Sequence, residues 1–211
     1  MPTDLIDRLA TDLQPVRVRS LRRDAAFLAI MAASQLGLFL LLGAARDDLH
    51  HAVARPDFWW KLGSLGLLAV LAAVTTVSSF DPAESARRGL RRAGAVAAAA
   101  LVAGWAVDLG GRDAAPWARL DWRMGVECVV ETIVLTLPTL AALGMLMRRG
   151  ASTDARGSAL AAGLAAAAWG AFVFAFACPS DDPFYVAVWY GLSIALVMGL
   201  SRLLLPRIAR W

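Results

Sequence analysis

The chain has 211 residues, of which 59% are hydrophobic, with a formal net charge of +4, a pI near 9.8 and a mean hydropathy of +0.58. Soluble domains run near half apolar. The excess here is gathered into six runs of about 17 to 24 residues, the length that crosses a hydrocarbon core of roughly 30 Å, which argues against a water-soluble fold.

The first segment, residues 1–24, reads as a cytoplasmic tail. Thr3 can cap a short helix with Asp4 in its first turn. Leu5, Ile6, Leu9 and Leu13 fall on one side of it, with Asp4, Asp7, Arg8 and Asp12 on the rest, and Pro15 ends the pattern. A helix of about 12 residues is marginal alone in water and needs a surface to dock on. Its three acidic residues favour a protein over an anionic lipid surface. The same acidic residues, and an apolar run that starts only near Ala25, do not fit a cleavable leader, whose opening stretch is short and basic.

The expected fold is all-α: a polytopic membrane protein with six transmembrane helices in residues 25–205 and both termini cytoplasmic, ending in a short cytoplasmic segment, 206–211. The spans are Ala25–Ala44, Phe58–Ser79, Ala93–Leu109, Met124–Met147, Ser158–Ala177 and Tyr185–Leu205. The third and fifth are rich in Ala and Gly, which lets helix backbones approach closely. Pro138 predicts a kink in the fourth. Of the 20 arginines, 15 fall in the tail, in the loops after spans two and four and at the C-terminal end, which places those segments in the cytoplasm. Trp59, Trp60, Trp105, Trp117, Trp122 and Trp189 fall near the other ends of the spans, as an interfacial belt would. Arginines dispersed at membrane edges do not form a nucleic-acid surface. No Ser-His-Asp set, H-E-x-x-H motif or phosphate-binding glycine loop appears, so the chain is not expected to be an enzyme, and no cofactor is implied.

Both cysteines are placed at the outer face. Cys128 lies about one turn inside span four, and Cys178 where span five leaves the membrane. The two spans form a hairpin, so the sulfurs share one end of adjacent helices. Three readings stay open: a redox-active or structural pair, two buried thiols that pack like alanine, and a metal site. Metal candidates are His50 and His51 in the first outer loop, with Cys128 and Cys178; Glu127, Glu131, Asp181 and Asp182 lie near the cysteines in sequence. No close ligand spacing supports them. Lys61, the single lysine, and Glu131 are charged groups inside spans two and four. Intramembrane charges usually pair, and these two are expected to approach each other, unless Lys61 snorkels to the interface.

The stretches TDLIDRLATDLQPVR, ECVVETIVLTLPTLAALGMLMRRGA and CPSDDPFYVAVWYGLSIAL, in that order, with a closing RIARW, resemble the NrsF-type membrane anti-sigma factors over almost the whole chain. The resemblance implies a protein that holds an extracytoplasmic-function sigma factor inactive at the bacterial inner membrane. It implies release when cysteines on the periplasmic side sense metal or oxidative stress. Cys128 and Cys178 match the sensor positions, and Asp4, Leu5, Leu9, Leu13 and Pro15 belong to the implied sigma-binding face. Where the family often has a His before the second cysteine, this chain has Ala177, which favours thiol chemistry over a Cys–His metal site. The alternatives are a membrane thiol oxidoreductase, which usually needs a C-x-x-C pair that is missing here, and a small transporter, for which Gln35 and Pro138 are the few mid-membrane features.

Overall fold

The computed structural model describes residues 20–108, 116–150 and 152–208. Among the described residues there are seven α-helices, one 3-10 turn and no strand. The helices are α1 (Leu21–Leu41), the single turn α2 (Leu49–Ala52), α3 (Pro56–Ser78), α4 (Ala86–Asp108), α5 (Trp122–Arg148), α6 (Ala155–Phe174) and α7 (Pro183–Ile208); the 3-10 turn is Pro116–Arg119. Asp4, Leu5, Leu9, Leu13 and Pro15 lie outside the described residues.

Local chemistry sets the helix ends. Ser20, Asp121 and Asp154 accept hydrogen bonds from the first free N–H groups of α1, α5 and α6. Pro56 and Pro183 open α3 and α7, where a missing N–H costs nothing. Gly43, at φ 70°, turns the chain away from α1 in a conformation that side chains with a Cβ rarely adopt.

Five helices, α1, α3, α5, α6 and α7, are long and apolar enough to cross a membrane. Six such helices were expected. The difference lies in α4, which has 23 residues but carries Arg87, Arg88, Arg91 and Arg92 in its first two turns, so its described apolar part is shorter. It lies mainly along α3 and α7. Its small residues do not bury it: most of its surface is exposed, and Ala86, Ala93 and Gly104 form the buried line.

The centre of the bundle is α6. Fourteen of its 20 residues are buried, which makes it the helix that α3, α5 and α7 pack around. The sequence permits this because alanine and glycine let neighbouring backbones come close. At Gly170 a Cβ would run into the Thr136 side chain and the α5 backbone at Thr132 and Thr136. The interior divides into two apolar clusters. One surrounds Leu68, Leu143, Met147, Ala162 and Leu205. The other, at the opposite end, surrounds Phe58, Leu62, Tyr185, Trp189 and Tyr190, and contains both cysteines.

Helix α1 is peripheral, with no buried residue. Its interhelical hydrogen bonds come from Gln35. The amide Nε2 donates to the Leu135 carbonyl at 2.6 Å, and Oε1 accepts from Thr139 Oγ1 and Trp169 Nε1, each at 3.2 Å. These contacts join α1 to α5 beside Pro138, where the proline removes the N–H that would serve the Val134 carbonyl, and to α6.

Two glycines give a controlled comparison of packing. Gly170→Ala is expected to lower stability by about 1–3 kcal/mol, the usual cost of overpacking. Gly191→Ala, where nothing lies within 4 Å of the new methyl group, is expected to be neutral or slightly stabilising. Thermal unfolding in detergent, followed by far-UV circular dichroism, checks both.

Candidate thiol site at one end of the bundle

Three connections meet at the cysteine end: the segment between α1 and α3, the 3-10 turn before α5, and the loop 175–182 between α6 and α7. Cys178 lies in that loop and Cys128 in the second turn of α5. Both are free thiols with 1% and 2% of their surface exposed. Both belong to the same buried apolar cluster, where the two thiols are near neighbours. The hairpin of α5 and α6 therefore brings the two cysteines together. A disulfide is compatible with this arrangement, because both cysteines lie in one buried cluster between α5 and the loop after α6.

Hydroxyl groups line the rest of the site. Thr132 lies one turn beyond Cys128 on α5, and its Oγ1 is beside that thiol. Tyr185 lies beside Cys128 and Tyr190 beside Cys178. All three hydroxyl oxygens are buried, and none makes a hydrogen bond of ordinary geometry. Trp189 is also buried. It packs edge-on to Trp122 with ring centroids 5.1 Å apart, over Gly125, where a Cβ would overlap its indole. Trp189 is thus part of the core and not of an interfacial belt, whereas Trp59, Trp105, Trp117 and Trp122 are exposed.

A charge cluster holds the Cys178 loop in place. Lys61 is wholly buried, and its Nζ lies 2.5 Å from Asp181 Oδ1. It also donates to the Ser180 carbonyl at 3.1 Å and the Cys178 carbonyl at 3.4 Å. Arg46 donates to Asp181 Oδ2 at 2.9 Å, to the Cys178 carbonyl at 3.1 Å and to Asp48. Its backbone N–H donates to the Phe176 carbonyl. Arg55 adds a third cation, 3.7 Å from Asp181. The Asp48 hydrogen bond, with the Asp181 contact, holds the Arg46 guanidinium above its ordinary pKa, and Arg46 in turn holds Asp48 down at about 2.

A second group fastens the next turn. Arg119 forks onto Asp108 at the end of α4 and onto Asp182, which accepts the N–H groups of Phe184 and Tyr185 at the start of α7. Burial pushes the Asp182 carboxyl up, but Arg119 and those two N–H groups outweigh it and hold the carboxyl below its usual range.

The structure corrects one expected pairing. Lys61 is matched with Asp181, and Glu131 lies on the exposed face of α5, away from it. The loop after Cys178 folds inward over the end of α3, so a residue outside the spans supplies the counter-charge. His50 and His51 sit on α2 with their rings 4.0 Å apart and both exposed, while the cysteines are buried. Among the described residues no three His, Cys, Asp or Glu side chains are grouped to hold a metal ion. Sequence reasoning missed Asp181 as the partner of Lys61, the role of Arg46, and Tyr185 and Tyr190. The available signal was that a single intramembrane lysine and two aspartates beside a cysteine belong to the same end of the bundle.

Removing one member of a buried ion pair leaves the other charge uncompensated, at a cost of about 3–5 kcal/mol. Asp181→Asn is therefore expected to destabilise the protein by that amount. The double variant Lys61→Met, Asp181→Leu should recover much of the loss. Unfolding midpoints of the three proteins in one detergent test this.

The family model described as negative regulator of sigma F, NrsF, matches residues 9–211. The anti-sigma-F factor NrsF of Caulobacter vibrioides is 33% identical over 208 residues, covering 93% of this chain and 92% of the relative. The probable anti-sigma-F factor NrsF of Azospira oryzae is 31% identical over 219 residues, covering 99% and 98%. No solved structure matches. A family match over nearly the whole length, with two full-length relatives above 30% identity, shows that the chain belongs to the NrsF family of negative regulators of sigma F.

Proposed function

We propose that this protein is a membrane-bound anti-sigma factor. It sequesters an extracytoplasmic-function sigma factor on the cytoplasmic face of the bacterial inner membrane and releases it when the cysteine pair reacts with an oxidant or a thiol-binding metal. Family membership carries the regulatory role. The buried juxtaposition of Cys128 and Cys178 supports the sensing role, because two neighbouring thiols in one cluster need little rearrangement to form one bond.

The proposed membrane arrangement has six crossings with both ends inside. Here α4 is the additional crossing, and the cysteine end faces the periplasm. The arginine distribution supports this orientation, and the periplasm allows disulfides to persist. The tail, with Asp4, Leu5, Leu9, Leu13 and Pro15, is the proposed sigma-binding segment; it leads into α1, the least buried helix.

Energetics bound the switch. Coupling between distinct sites is typically about 1–3 kcal/mol, while near-complete conversion between two states needs about 5.5 kcal/mol of differential stabilisation. Thiol chemistry shifts the balance strongly, and binding of the sigma factor to one state supplies the remainder.

Two experiments test this reading. Detergent-solubilised protein should co-purify a sigma factor, and the same protein lacking residues 1–20 should lose it; capture that survives truncation contradicts the tail assignment. In cells, Cys128→Ser with Cys178→Ser should abolish induction by oxidants and by thiol-binding metals. A normal response in that strain would sink the sensing model.

A further inference from the structure

We infer that Tyr190 and Lys61 belong to the thiol site as positioning residues and make Cys178 the sulfur that reacts first: its thiolate takes one oxygen from a peroxide, whose O–O bond breaks and whose other oxygen leaves as water, and Cys128 then attacks that sulfenic acid, expelling a second water and closing the disulfide. This rests on the sensing role proposed above.

The first support is the tyrosines' burial. Tyr185 and Tyr190 each have 1% of their surface exposed, and neither hydroxyl has a hydrogen-bond partner of ordinary geometry. An unsatisfied buried hydroxyl costs about 1–3 kcal/mol, and phenylalanine would fill the same space without that cost. Both hydroxyls sit beside sulfur. A phenol O–H is a poor match for a neutral thiol and a good one for a thiolate, since hydrogen bonds to ionised acceptors are roughly twice as strong. The orphaned hydroxyls thus gain a partner when a neighbouring sulfur ionises.

The second support is the asymmetry of charge. Lys61 donates to the Cys178 carbonyl, and the loop from Cys178 to Asp181 wraps its ammonium. Arg46 donates to the same carbonyl. Two cations therefore anchor the backbone of Cys178, while Cys128 lies on α5, whose nearby carboxylates, Glu127 and Glu131, point to the exposed face. The ionisable and charged groups around Cys178 are Cys128 from α5, Tyr185 and Tyr190 from α7, Lys61 from α3, and Arg46 and Asp181 from the connecting segments. The described part of α6 beside it, from Ala165 to Phe174, contributes none. The neighbouring Cys128 thiol, with the Lys61 charge and the Tyr190 hydroxyl, outweighs burial and holds the Cys178 thiol below the ordinary range.

The test uses the full-length protein in lipid nanodiscs, fully reduced. Alkylation of each cysteine by iodoacetamide is measured against pH by peptide mass spectrometry. In the wild type the midpoint for Cys178 should lie below that for Cys128. Tyr190→Phe should raise the Cys178 midpoint by about one unit, which is about a tenfold slower reaction near neutral pH, while Tyr185→Phe should leave that midpoint in place. A purely structural role predicts the opposite sign, because loosened packing exposes the thiol and speeds alkylation. Superimposable wild-type profiles, a lower midpoint for Cys128, or a Tyr190→Phe profile that matches the wild type would each overturn the inference. None of these readouts involves a sigma factor, so failure here is distinct from failure of the anti-sigma reading.

Discussion

The ion pair between Lys61 and Asp181 is the contact on which the cysteine end depends. Both side chains are fully buried, and the desolvation of two charges is repaid only when geometry is good and the remaining donors and acceptors are satisfied. Here the ammonium has two carbonyls as well as the carboxylate, and the carboxylate has Arg46 as well as the ammonium. A pair with this many partners fixes a loop in one position. That loop carries Cys178, and it lies over the end of α3, so the sulfur faces Cys128 on α5. The apolar packing beneath, with Phe58, Ala171, Ala175 and Trp189, gives the loop a floor.

Arg46 extends this arrangement towards the other end of the molecule. It lies five residues beyond the end of α1, and it grips the Cys178 carbonyl through its side chain and the Phe176 carbonyl through its backbone. Helix α1 has no buried residue of its own. It is held by this contact at one end and by Gln35 near the middle, where the amide meets α5 beside Pro138 and Trp169 of α6. Polar contacts of this kind contribute about 0.6–2 kcal/mol each between helices in membranes. In the signalling model proposed above, a lightly held helix joined to both the thiol loop and the Pro138 region of α5 would carry a change at the cysteines towards Leu21. By contrast α6, rich in small residues, is the most buried helix of the bundle.

Much of this architecture was legible in the sequence. Length and hydropathy of the apolar runs locate the long helices, because lipid leaves a helix as the only single-segment way to satisfy the backbone. The alanine and glycine of the fifth run correctly place it against its neighbours. The same composition misleads for α4, whose small residues lie mostly exposed, since composition does not say how many faces a helix buries. The cysteine pair was legible from topology alone, because a hairpin puts both sulfurs at one end. The partner of Lys61 was not. Hydropathy assigns Asp181 to a loop, and a loop residue folded inward cannot be distinguished from a solvated one without the path of the chain. Tyr185 and Tyr190 were hidden for a related reason: a tyrosine within an apolar run reads as one more apolar side chain until the neighbours of its hydroxyl are known.

The central claim is that the state of the Cys128–Cys178 pair sets the affinity for a sigma factor bound at the opposite end. The most direct measurement is the dissociation constant of the cognate sigma factor for the full-length protein in nanodiscs, first with both thiols reduced and then with the disulfide formed quantitatively. A coupling in the usual range between distinct sites, about 1–3 kcal/mol, predicts weakening by roughly 5- to 150-fold on oxidation. Equal affinity in the two states would contradict the account.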